Sequence, residues 1–270
     1  MKTFLAVLAA LVLVPAASAA YPTPFAAQGV DAGLLSLDHS RMFVALKGAS
    51  GTKIQAVRLN GGAVVASTSL DGDWGIPMLT YSGVAGGLFH DGSAFVLQSV
   101  GIDTTTKFAI LDSRDLSVRD TISLDGYYGF DALSPDGSML YLIQHTSTSD
   151  YQHYVVRAYD MRSGSLVEGR IADKAQKSWV MQGQAVARVT SPTGRWVYTL
   201  YSNPGGYPFI HALDTVNGVA HCVGLPWKET NQNPVNNFTL KLTGSWLAVK
   251  QPGGSTWRRV HTGTWRVFKP

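Results

Sequence analysis

Residues 133–144 read LSPDGSMLYLIQ, and the construction of this stretch decides the fold. Ser134-Pro135-Asp136-Gly137 predicts a tight turn. Proline presets φ at about −65°, the Asp side chain bonds the backbone ahead of it, and Gly takes the φ > 0 position that closes a hairpin. Met139 to Ile143 then form a continuous apolar run, as expected of a strand covered on both faces rather than one half exposed to water.

The unit recurs. With the turn as anchor, five copies align: SLDHSRMFVAL from Ser36, FHDGSAFVLQS from Phe89, SPDGSMLYLIQ from Ser134, SPTGRWVYTLY from Ser191 and KLTGSWLAVKQ from Lys241. His39, Gly92, Gly137, Gly194 and Gly244 share the turn position, at separations of 53, 45, 57 and 50 residues. After each anchor comes a variable loop, a second strand, another turn and a third strand, as in YVVRAYDMRSGSLVEGRI from Tyr154; Asn60-Gly61-Gly62, Arg162-Ser163-Gly164 and Asn217-Gly218 supply the second turn. A short run before each anchor (GLLS, AGGL, FDAL, ARVT, NFTL) completes four strands per unit. A four-stranded unit of this period predicts an all-β fold, a β-propeller of four-stranded antiparallel blades, five in number. Blade one begins with its own inner strand (30 to 36) and blade five ends with its own outer strand (264 to 269), so no obvious strand exchange latches the ring; residues 21 to 28 could supply a latch, or the ring could be open and lean on a partner. The only segment that suggests a helical turn is 172 to 177.

The first twenty residues, MKTFLAVLAALVLVPAASAA, have Lys2, an apolar stretch from Phe4 to Val14 and a small-residue site at Ala17-Ser18-Ala19. This pattern predicts a signal peptide over 1–19, cleaved after Ala19, and a secreted or cell-envelope location. The apolar stretch is short of the roughly 20 residues needed to span a bilayer, so no membrane insertion is expected. Residues 20–270 then make a single propeller domain, expected to be a monomer. The formal charge of +4 looks weak and dispersed, with Arg258-Arg259 as its only adjacent pair, and argues against nucleic acid as a partner. Cys222 is the only cysteine, so the core is built without an internal disulfide, and the thiol reads as a small buried side chain on a strand rather than a nucleophile.

LSPDGSMLYLIQ followed by YVVRAYDMRSGSLVEGRI resembles the repeat of bacterial exported YVTN/WD40-like propellers, the group that includes the TolB-like and YncE-like proteins. There an S-P-D-G turn, an apolar strand and a V-x-x-x-D strand recur. The resemblance covers the whole mature chain, most strongly in blades three and four. The longer stretches GRIADKAQKSWVMQGQAV and NPGGYPFIHALDTVNGVAHCVGLPW are similar to secreted actinobacterial propellers of unassigned function. The resemblance implies fold and export, and does not choose among scaffold, ligand-binding, lactonase and redox roles.

Two loop sets are long and aromatic, 71 to 83, 125 to 130, 173 to 184 and 226 to 237 on one, 145 to 154 and 201 to 208 on the other; the opposite turns are short. This asymmetry marks Trp74, Tyr127, Tyr128, Trp179 and Trp227 either as a ligand surface or as packing between blades. Aligned on the turn glycines, Asp131 and Arg188 face the axial funnel from neighbouring blades, as an ion pair or as polar handles of a pocket. The expected ligand-binding set is therefore Asp131, Arg188, Tyr128, Trp179, Trp74 and Tyr127. His211 and His221 are placed as cross-strand neighbours across the turn at 215–217, without the third ligand a metal site requires. His145, Asp150 and His153 share a loop, where acid/base work competes with simple solvation. The leading reading is an exported, non-enzymatic propeller that binds a small-molecule ligand or protein on its long-loop face, with no cofactor and no metal. The alternative is a lactonase-like propeller hydrolase with its active site in the funnel.

Overall fold

The computed structural model describes residues 25–147, 149, 153–173, 180–203, 205–227, 230 and 235–270. The expected signal peptide over 1–19, the expected mature start at Ala20, Asp150, Trp179 and most of the 172–177 segment lie outside them. Among the described residues no helix is long and apolar enough to cross a membrane.

Five antiparallel sheets follow one another along the chain. Blade one is β2 (Leu34–Leu35), β3 (Arg41–Lys47), β4 (Gly51–Arg58) and β5 (Val64–Asp71). Blade two is β6 (Trp74–Met78), β7 (Ala94–Ser99), β8 (Thr105–Asp112) and β9 (Val118–Asp125), with β1 (Phe25–Ala27) added to the axial side of β6. Blade three is β10 (Tyr128–Leu133), β11 (Met139–His145), β12 (His153–Asp160) and β13 (Ser165–Leu166), with β14 (Met181–Gln182) on the start of β12. Blade four is β15 (Gln184–Thr190), β16 (Trp196–Ser202), β17 (Phe209–Asp214) and β18 (Val219–Gly224). Blade five is β19 (Thr239–Thr243), β20 (Trp246–Lys250), β21 (Thr256–His261) and β22 (Arg266–Phe268). This is the five-bladed, four-stranded arrangement that the repeats imply.

The Ser-x-Asp turn of blades one and three has one internal wiring. In blade three Gly137 N donates to Ser134 O (2.9 Å), Met139 N to Ser134 Oγ (2.9 Å) and Ser134 Oγ to Asp136 Oδ1 (2.6 Å). Blade one repeats it with Ser36, Asp38 and Arg41, and there His39 takes φ 54° in the glycine position. Gly92, Gly137, Gly194 and Gly244 have φ of 71°, 68°, 73° and 54°. The Ser and Asp hydroxyl and carboxylate satisfy backbone donors that the hairpin would otherwise leave bare. Hydrogen bonding by Ser134 and Ser138 holds the exposed Asp136 carboxyl down at about 2. The second turn has its own rule: an Asp ends the strand and caps the backbone two residues ahead, as Asp112, Asp160 and Asp214 do. Its left-handed position is Gly62, Gly164 or Gly218 in three blades, but Leu116 (φ 62°) and Trp265 (φ 58°) in blades two and five. Both of those side chains pack into inter-blade cores, which offsets the backbone cost.

Four interfaces between successive blades are filled by apolar side chains. Phe43 stacks on Phe95 (4.4 Å between centroids) between blades one and two. Phe108, Tyr128 and Leu142 lie between blades two and three, Tyr154 and Phe209 between three and four, and Leu200, Ile210, Leu247 and Val249 between four and five. Among the described residues no such cluster joins blade five to blade one. In agreement, β4 and β20 alternate buried and less buried residues, whereas β17 is buried at every position.

Three local expectations are corrected. The stretch 71–83 is not a loop: it contains β6, all five residues of which are buried. The AGGL run contributes only isolated bridges at Ala85 and Leu88. Finally, Phe25–Ala27 joins blade two rather than latching the ring, and residues 30–32 form a 3₁₀ turn ahead of the short β2.

Candidate functional site

Bulges shape the axis. Asp131 is the extra residue of β10, between the pairs Phe130/Leu142 and Ala132/Tyr141, and Val186 has the same role in β15. Displaced from the ladder, Asp131 accepts from Arg188 twice, Nη1 to Oδ1 and Nη2 to its main-chain O, both at 2.7 Å. The two side chains are only 5% and 6% exposed. Removal of one partner from a pair this buried strands a charge and costs about 3–5 kcal/mol. The segment after β6 crosses from blade two to blade four, where Tyr81 N donates to Ala185 O (2.8 Å) and Ser82 Oγ to Val186 O (3.2 Å).

Two cavities lie along the axis. The first, about 460 Å³, is lined by the turn-proximal halves of four inner edges, with Asp131, Arg188, Thr190, His90 and the backbone of Gly86-Gly87 on its wall. The second, about 390 Å³, belongs to the long-loop end. It is bounded by the Phe25–Gln28 backbone of β1 and its extension, by Gln98 and Tyr127, and by Val100, Gly101 and Ile102 beyond β7. Both volumes suit a small molecule.

The other expected site residues have definite places. Trp74 is buried between blades one and two, its Nε1 donating to Asp71 O at 2.8 Å. Tyr128 is 2% exposed and packs between blades two and three. Tyr127, also buried, stacks on His145 at 4.4 Å and forms part of the second cavity's wall. Trp227 packs on Trp257 and Phe238 in the core of blades four and five. Asp131 and Arg188 thus come together, whereas Trp74 and Tyr128 go to separate inter-blade seams and Tyr127 goes to the wall of the second cavity. The residues of the second cavity that sequence reading passed over, Gln98, Val100 and Ile102, gave no signal beyond their position after an apolar strand. Gln98 is buried and holds blade three by donating to Tyr128 O and accepting from Phe130 N (2.8 Å).

The histidines and the thiol have definite places. His145 ends β11 and is buried, so it is not a solvated loop residue, while His153 opens β12. His211 pairs across the strands with Cys222, and His221 with Ala212, so the two histidines point to opposite faces of blade four. Cys222 Sγ lies 3.6 Å from His211 Nδ1, and Cys222 N donates to Asp173 Oδ2. Burial lowers His211 to about 4, and burial together with the Asp173 charge pushes the thiol up to about 12. A neutral imidazole beside a protonated thiol has no thiolate to offer. Among the described residues no group of three or more His, Cys, Asp or Glu side chains could hold a metal ion.

No protein-family model matches the chain, and no curated protein matches it. Solved structures do. The crystal structure of a functionally unknown protein from Desulfotomaculum acetoxidans aligns with TM-score 0.50 and 15% identity over 88% of this chain and 68% of that one. Dihydro-heme d1 dehydrogenase NirN aligns with TM-score 0.51 and 14% identity, over 85% of this chain and 43% of that one. TolB from Acinetobacter baumannii aligns with TM-score 0.45 and 18% identity, over 73% and 44%. The chain spans less than half the length of the last two. The first two likenesses speak to fold alone, and the five sheets make this an all-β, propeller-like protein.

Proposed function

We propose that the chain is an exported, non-enzymatic propeller scaffold that binds an apolar small molecule at its long-loop end. The observation that carries this reading is the 390 Å³ cavity beside β1, whose walls are Ala26, Ala27, Val100, Ile102 and Tyr127 with the polar Gln28 and Gln98. An apolar cleft of this size is suited to binding, and among the described residues no carboxylate, histidine or thiol lines it. The leader pattern supports export.

The hydrolase alternative has its footing in the other cavity, where among the described residues Asp131 is the one carboxylate on the wall and is bound by Arg188. The test uses an apolar fluorophore, N-phenylnaphthylamine, titrated into the protein. Saturable binding that is lost in Ile102→Glu, with the melting temperature retained, is the expected result; equal binding by both proteins would overturn it. Hydrolysis of a lactone panel that disappears in Asp131→Asn would establish the alternative instead.

A further inference from the structure

Among the described residues no sheet lies against the face of blade five turned away from blade four. Along β20 Leu247 and Val249 turn into the core with blade four, and Trp246, Ala248 and Lys250 turn the other way. The register sets Lys241 and Arg259 on either side of Ala248, His261 beside Trp246 and Phe268 beside Arg259. The Arg259 guanidinium lies 4.7 Å from the centre of the Trp246 ring, and Phe268 meets the same ring edge-on at 5.4 Å. This arrangement is an aromatic platform framed by cations.

Charge sets this blade apart. From Thr230 to Pro270 the chain has six of its 22 Lys and Arg residues and none of its 18 Asp and Glu. The whole net charge of +4 is therefore exceeded by one blade, and the charge that looked dispersed along the sequence is concentrated in space. Among the described residues Lys241, Lys250 and Arg259 are in no salt bridge.

We propose that this face docks an acidic protein partner through a β-sheet of the partner. The shape argument comes from the other blades: the corresponding face of each of blades one to four is covered by the next sheet, and stacked sheets pack about 10 Å apart. The charge argument is complementarity, since cations without local carboxylates favour a partner that brings them. Trp and Arg are also the side chains on which binding energy most often concentrates. A second copy of the chain does not fit. Among the described residues the comparable outer face of blade one has Lys53 and Asp71 as the ionisable groups of its strands, and these cancel. That face would leave the cations of blade five uncompensated.

The site is separate from the axial cavity and independent of the function proposed for it. The probe is a fluorescein-labelled peptide of alternating Glu and Val, read by fluorescence anisotropy. Binding is expected to weaken about tenfold or more in Lys241→Ala/Arg259→Ala, and again on raising the salt from about 50 to about 300 mM. Trp246→Ala is expected to weaken it about fivefold with little change in melting temperature, because the ring is not in the blade core. Ile102→Glu, in the axial cavity, leaves peptide binding unchanged, so failure of either idea is read separately. Peptide affinity that does not respond to the double variant would overturn the proposal. So would preferential binding of an oligothymidylate or of phosphatidylglycerol vesicles, measured with the same proteins.

Discussion

Strands β16 and β20 hold the same place, second from the axis, in adjoining blades. After its first residue β16 is buried at every position, whereas β20 buries only every other one. The difference lies in what stands beside each sheet. Blade four has a sheet on both sides, and blade five has one on a single side, so the same architecture is a two-faced core in the middle of the chain and a one-faced core at its ends. Position in the ring, more than residue type, decides how much a side chain contributes to stability.

That contrast can be broken most severely at Phe95. It is wholly buried in blade two and stacked on Phe43, and Phe95→Ala is expected to cost about 3–5 kcal/mol in denaturant melts. A loss below about 1 kcal/mol would mean that the inner blades are no better packed than the outer ones.

The next effect depends on pH. His211, closed in on both sides within blade four, is lowered to about 4 from an ordinary value near 6.5. Above 6.5 both folded and unfolded chains hold it neutral. Between 6.5 and 4 the unfolded chain takes up the proton and the native one does not, so stability falls as pH falls. The full window is worth about 3 kcal/mol. Stability of the wild type and of His211→Gln, measured from pH 7 to 4, should diverge in slope across this window; parallel curves would contradict the burial of this ring.

A smaller difference separates two turns of one design. Gly137 has φ 68°, and a Cβ there would come within 2.6 Å of the Phe89 ring of the preceding blade. Gly244 has φ 54° with nothing within 4 Å. Gly137→Ala should therefore cost clearly more than Gly244→Ala, for which only the backbone cost of about 1 kcal/mol applies. Equal losses would mean that the turns do not nest between blades. The smallest effect belongs to Phe268→Ala on the uncovered face, where the ring is 44% exposed; less than about 1 kcal/mol is expected.

Much of the architecture was legible because the turns have strict chemistry. Ser-x-Asp-Gly fixes donors and a left-handed residue, and four of the five anchors present a glycine there. The second turn was readable only where glycine fills it, since Leu116 and Trp265 reach φ > 0 by virtue of the cores they enter, a non-local cause. Strand β6 was hidden because Gly75 and Pro77 read as loop residues, and its support comes from β1, which pairs with it from far earlier in the chain. The Asp131–Arg188 pair was found by aligning blades, whereas the burial of Trp74, Tyr127 and Tyr128 depends on neighbouring sheets that no local pattern records. The run of the last blade without acids lay in plain view; averaging the charge over the whole chain concealed it.

The short strand Phe25–Ala27 also has a consequence for assembly. It lies on the axial side of Trp74–Met78 and cannot pair until that later segment has been made and has found its own sheet. The earliest strand to appear is therefore among the later ones to settle, closing a long loop whose entropy must be offset first. The two ends of the fold are correspondingly unequal as attachment points, because Arg266–Phe268 forms an outer edge whereas Phe25 lies near the centre. A bulky tether at the front of this segment would compete with the centre of the ring, and one placed after Pro270 would trail from its perimeter.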